Sequence, residues 1–224
     1  MEQRQVVAAV VLAAGSGSRM GSEPRLPKQF LPLVGDERLV DRTVATCRAV
    51  ADWVGLALPP DTAWDGPAVD ERVVGGGSRM ETVAAVCAAV PSSADVVVIH
   101  SASHPLASAV LLRRAIDAVV TGADGAVAVL DVVDTVKRRH ADGSLTTLGR
   151  EGLGTAQAPM AYRRVMLDRA LDALAADQDP AIVEESMAIE AIGGRVVSVP
   201  GESTNLHVTD PVSLAVVRRL VDLV

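Results

Sequence analysis

The segment Val6-Val7-Ala8-Ala9-Val10-Val11-Leu12-Ala13-Ala14-Gly15-Ser16-Gly17-Ser18-Arg19-Met20 decides the fold. Its first nine residues are continuously apolar and rich in valine, the pattern of a parallel strand buried on both faces. Gly15 closes the run, and residues 15–28 form a loop rich in Gly, Ser and Pro. Outward from this strand the same alternation repeats. Strands are expected at 53–58, 71–74, 94–100, 126–133, 195–199 and 205–208. Helical spacing is expected at 39–50, 78–90, 106–120, 162–176 and 181–192. Ser78 with Glu81 three residues on reads as a capping box, and Asp210 with Pro211 opens a last helix. Residues 137–150 are polar and carry Asp142-Gly143, a hairpin-turn signal. Apolar strands alternating with helices predict an α/β fold: a mostly parallel twisted sheet with helices on both faces. No internal repeat or dividing linker is present, so residues 1–224 read as a single domain. Ligands in such sheets bind beyond the carboxyl ends of the strands.

Composition narrows the function. The chain has 224 residues, 49% hydrophobic and 22% charged, enough for a sizeable core and too apolar for a disordered chain. A net charge of −7 with four aromatics (Phe30, Trp53, Trp64, Tyr162) argues against a nucleic-acid partner, which needs basic faces and stacking platforms. The early apolar run is too short to span a bilayer and lacks a basic flank, so neither a membrane partner nor a signal peptide is expected. Cys47 and Cys87 are far apart and form no CxxC pair, which points to a reducing cytoplasm. Only two lysines, Lys28 and Lys137, stand against 19 arginines. Each lysine is therefore a candidate, since Arg and Lys are not equivalent where a compact point charge is wanted.

The loop after the first strand carries the chemistry. Its glycines let backbone approach a phosphate closely, and successive N–H groups can form an anion nest. Arg19 and Lys28 add cations for a polyphosphate. This is neither a Walker loop, since no GKS or GKT occurs, nor GxGxxG, since Met20 stands where the last glycine belongs.

Leu-Ala-Ala-Gly-x-Gly-x-Arg-Met, followed by Pro27-Lys28-Gln29-Phe30-Leu31-Pro32-Leu33, resembles the sugar-nucleotidyltransferase signature. More narrowly it resembles the 2-C-methyl-D-erythritol 4-phosphate cytidylyltransferase family of the non-mevalonate isoprenoid pathway. The likeness continues through Gly75-Gly76-x-x-Arg79-x-x-Thr82, Asp134-Thr135-x-Lys137, Arg150-x-Gly152, Gln157-Ala158-Pro159 and Asn205-Leu206-His207-Val208-Thr209. The resemblance implies a Rossmann-like nucleotidyltransferase fold with a projecting β-hairpin arm at 136–150, exchanged across a homodimer. It implies CTP as one substrate, a small polyol phosphate as the other, and Mg²⁺ as cofactor. By similarity Ala13, Ala14, Gly15 and Gly17 cradle the nucleotide, and Arg19 and Lys28 hold the triphosphate. Gly76 and Thr82 contact cytosine or ribose. Thr135 and Arg150 grip the acceptor phosphate in the site of the other subunit.

The chain departs from the family at the end of its 94–100 strand, where His-Asp-Ala-Ala-Arg-Pro is replaced by His100-Ser101-Ala102-Ser103-His104-Pro105. Ser101 stands at the usual Mg²⁺-ligand Asp, so the sequence offers no metal residue there. His104 stands at an Arg and His207 at a Lys. Ser101, His104 and His207 are still expected around the nucleotide. Two other readings remain open: a paralogue with another phosphate or phosphonate acceptor, and a catalytically impaired nucleotide- or partner-binding protein.

Overall fold

Strand β1 (Val7–Leu12) lies inside a seven-stranded sheet, and its alternate side chains feed two cores. The structure, a computed structural model, describes residues 4–15, 27–177 and 179–223. Ala9 and Val11 point into one core with Val44 and Leu112; Ala8 and Val10 point into the other with Val83, Leu167 and Ile189. This two-sided burial is why the strand reads as unbroken hydrophobic sequence rather than as alternation.

After β1 and a 3₁₀ turn at Lys28–Phe30 come β2 (Pro32–Val34), β3 (Glu37–Arg38) and α1 (Leu39–Arg48). Next are β4 (Trp53–Leu58), β5 (Glu71–Val74), α2 (Arg79–Cys87), β6 (Val96–Ser101), α3 (Ala109–Val120) and β7 (Gly125–Asp131). The arm is β8 (Lys137–Arg139) and β9 (Leu145–Thr147). Then follow β10 (Gly154–Arg163), α4 (Arg164–Asp177), α5 (Glu185–Ala191), β11 (Val196–Pro200) and α6 (Pro211–Leu220). The sheet order is β11-β7-β10-β6-β1-β4-β5. Every pairing is parallel except those of β10, which runs antiparallel to both β6 and β7. The mostly parallel, doubly covered sheet expected from sequence is the one present.

Strand β10 corrects the sequence reading. Tyr162 does not open a helix; it is the ninth residue of a ten-residue strand and is among the largest fully buried side chains. The ladder between β10 and β7 skips from Gln157 to Met160, passing over Ala158 and the cis-linked Pro159. Residues 205–208 form no strand. They run as an irregular strip tied in by single bonds, Val208 N–H to the Ser103 carbonyl and Asn205 Nδ2 to the Ala158 carbonyl. The helix expected at 181–192 covers only Glu185–Ala191.

The local signals at helix starts hold with one change. The Ser78 hydroxyl accepts from Glu81 N–H, as a cap should, but the Glu81 carboxylate accepts from Gly77 N–H instead of closing back on Ser78. Asp210 and Ser213 form the reciprocal box at α6. The arm is a separate two-stranded sheet whose strand residues are all exposed. Gly143 at its turn has φ +83°, the left-handed conformation that glycine adopts without strain.

Candidate active site

A cleft of about 520 Å³ opens past the carboxyl ends of β1, β5 and β6. Ala13, Ala14 and Gly15 form one wall, and Lys28 and Gln29 stand beside them. Gly76, Gly77, Ser78, Arg79 and Thr82 form the opposite wall. Ser101, Ser103 and Thr209 close the floor. Of the residues expected from sequence, the cleft therefore gathers Ala13, Ala14, Gly15, Lys28, Gly76, Thr82 and Ser101. Gly17 and Arg19 lie outside the described residues.

The β1 loop is held from below. Gln29, almost fully buried, donates from Nε2 to the Ala13 carbonyl at 2.6 Å and to the Gly15 carbonyl at 3.0 Å. These bonds consume the loop's carbonyls and turn its other edge to the cleft. Gln29 was visible in the Pro-Lys-Gln string, but nothing in a sequence says that a polar side chain beside Phe30 is buried. Lys28 donates from Nζ to the Val208 carbonyl at 2.8 Å, which ties the first loop to the strip before α6.

The facing loop is shaped by its own hydroxyls. Thr82 Oγ1 accepts from Gly76 N–H at 3.1 Å and donates to the Ser78 carbonyl at 2.9 Å. The two loops touch. A Cβ on Gly75 would lie 2.2 Å from the Ala14 Cβ, so only glycine admits this approach.

His104 and His207 are not among the described residues lining the cleft; they stack on each other, ring centroids 4.4 Å apart and 19° from parallel. Burial pulls the His104 imidazole down to about 2, helped by the neighbouring His207, His100, Lys28 and Arg79, so the ring is neutral. Burial alone pulls His100 down to about 3. An imidazole walled off from water cannot bear a proton beside other cations. Thr135 and Arg150 also lie outside the cleft. Both are exposed at the base of the arm, where Arg150 donates to the Val133 carbonyl.

Sequence reading passed over Arg79 as a site residue, although it stands in the quoted glycine motif. It lines the cleft and forms a two-pronged ion pair with Glu185 of α5. The cleft thus presents an ammonium, a guanidinium, hydroxyls and backbone edges, a donor set suited to a polyanion.

The model of the 2-C-methyl-D-erythritol 4-phosphate cytidylyltransferase family matches residues 7–222. The chain belongs to this family. It is 38% identical over 222 residues to the family enzyme of Chromobacterium violaceum, covering 95% of this chain and 96% of that one. It is 36% identical to that of Dechloromonas aromatica, covering 92% and 93%. The crystal structure of the Thermus thermophilus cytidylyltransferase superposes with a TM-score of 0.80 at 27% identity, over 97% of this chain and 98% of that one. These relatives carry the cytidylyltransferase name; they lend no support to a different acceptor or a non-catalytic role.

The family resemblance implies Mg²⁺, and the described residues do not fit it as protein ligands. A hard divalent cation takes carboxylate and carbonyl oxygens. The cleft lining offers hydroxyls beside an ammonium and a guanidinium, and no carboxylate. Among the described residues no three His, Cys, Asp or Glu are grouped to hold a metal. Nor is any helix among them long and apolar enough to cross a membrane.

Proposed function

We propose that this chain transfers the cytidylyl group of CTP to 2-C-methyl-D-erythritol 4-phosphate and releases pyrophosphate. The observation that carries this reading is the cleft itself: the Ala13-Ala14-Gly15 edge faces the Gly76–Thr82 loop, with Lys28 and Arg79 on its walls. In the reaction an oxygen of the acceptor phosphate attacks the α-phosphorus of CTP. The new O–P bond forms as the bond to the bridging oxygen breaks, and that oxygen leaves on pyrophosphate. The protein must align two anions that repel each other and offset charge gathering on the leaving group. Lys28, and Arg19 beyond the described residues, serve the triphosphate. Backbone N–H groups of the β1 loop approach its oxygens, and the Gly76–Thr82 loop takes the cytosine and ribose. Ser101 and Ser103 supply neutral donors where the family has an acid and its neighbours.

We further propose a cytoplasmic homodimer in which Thr135 and Arg150 of each arm reach the cleft of the other copy. Their exposure and their absence from the described lining of the chain's own cleft support that exchange. The free, buried thiols of Cys47 and Cys87 support a reducing compartment.

The test is pyrophosphate release with CTP, Mg²⁺ and methylerythritol phosphate, beside calorimetric CTP binding. One pyrophosphate per acceptor consumed is expected. CTP binding without release under any acceptor concentration would refute the transfer.

A further inference from the structure

Glu185 is the one acidic side chain among the described residues that is fully buried, at 0% exposure. It accepts from Arg79 Nε at 3.0 Å and from Arg79 Nη2 at 2.9 Å, a fork-to-fork pair. Glu184 also acts on Arg79 and Tyr162, but the hydrogen bonds to the guanidinium are those of Glu185. Its charge helps to raise the buried Tyr162 hydroxyl and the Cys87 thiol, the latter to about 12, although burial is the larger cause for both. A buried ion pair is a poor way to stabilise a core, since apolar residues of the same volume do as well. What it does supply is direction. The pair uses Nε and Nη2 and fixes the guanidinium plane. Arg79 is the first residue of α2, so this plane sits directly after Gly76, Gly77 and Ser78, and it borders the cleft.

We propose that Glu185 is a positioning residue for nucleotide binding, acting through Arg79, whose Nη1 edge donates to an oxygen of the bound nucleoside triphosphate. The inference rests on the proposed CTP site. It places α5, whose residues do not line the cleft, in control of the glycine loop on the cleft wall.

Two variants test it. Glu185→Gln keeps the volume and removes the charge. Arg79→Lys keeps the charge and removes the fork, which an ammonium cannot reproduce. CTP affinity is read by calorimetry, kcat and KM by pyrophosphate release, and folding by thermal unfolding. Each variant is expected to weaken CTP binding by about tenfold and to raise KM in step, while kcat at saturating CTP stays within about twofold. The double variant should be no weaker than the worse single one, because both act on one contact. A lowered Tm with unchanged CTP affinity, or additive losses in the double variant, would overturn the inference and leave a purely structural pair. Should Glu185→Gln not fold, Glu185→Asp serves, with Arg79→Lys read in parallel. Wild-type protein that binds no CTP sinks both this inference and the proposed function. Wild-type protein that binds CTP with variants that bind equally well sinks this one alone.

Discussion

His100 and His104 carry a cost that the sequence did not show. Both rings are buried with Nδ1 unpartnered among the described residues, and both titrate far below the ordinary 6.5, near 3 and near 2. The unfolded chain takes up protons on them as pH falls below about 6.5, while the folded chain does not until about pH 3. Their contribution to stability is therefore whole above 6.5 and is lost as pH falls from there toward 3. Each histidine steepens that loss by about 1.4 kcal/mol per pH unit. His104→Gln should remove about one proton from the pH dependence, checked by urea unfolding of wild type and variant from pH 4.5 to 7.5. Equal slopes would show that His104 is hydrated in the folded protein. From sequence His100 fits the family pattern, and His104 stands at the family's Arg, expected around the nucleotide. The residue types were legible, but their burial was not, because it depends on the strip before α6, which lays His207 over His104.

At the scale of elements, glycine's meaning changes between sequence and fold. Gly75 and Gly76 were readable as part of a nucleotide motif, yet the reason for Gly75 is contact between two loops distant in sequence. Gly75→Ala would drive its methyl into Ala14 and part the walls of the cleft. CTP affinity should drop about tenfold or more, with a stability loss of about 1–3 kcal/mol. Gly77→Ala is the control for the fold: its Cβ would meet nothing closer than the Glu81 carboxylate at 3.4 Å, so stability should hardly change. Calorimetry with CTP and thermal unfolding of Gly75→Ala decide the point, and wild-type values would mean the loops are not in contact. Strand β10 is the converse case. Its sequence, Gly154-Thr155-Ala156-Gln157-Ala158-Pro159-Met160-Ala161-Tyr162-Arg163, contains a proline that argues against an interior strand. The fold accommodates it at the skip in the ladder, with β6 pairing only from Met160 onward. A proline at a break in register leaves no trace in hydrophobic periodicity. The parallel strands β1, β4 and β6 were legible because burial on both faces leaves them uniformly apolar.

For the whole molecule, the arm is the feature that a single chain does not explain. Its strands pair only with each other, and Val133 and Leu145 beside and within it are 77% and 60% exposed. The Asp142-Gly143 turn made the hairpin legible in sequence. The surface it rests on was not, because that surface belongs to a second copy in the proposed dimer. An isolated two-stranded hairpin is marginal in water, so a docked arm is the physically consistent arrangement. If each arm completes the opposite cleft, defects in cleft and arm must complement. Lys28→Ala disables a cleft and leaves the arm sound; Arg150→Ala does the reverse. Each homodimer should retain a few per cent of wild-type turnover or less, since a cation facing developing charge is worth about 2–4 kcal/mol. Mixed in equal amounts and allowed to exchange, half the dimers become heterodimers, and each has one of two sites intact. Activity should then recover to about a quarter of wild type. Recovery that tracks heterodimer content, measured by pyrophosphate release against native mass spectrometry, fits exchanged arms. Heterodimers that form without recovery would return Arg150 to the cleft of its own chain.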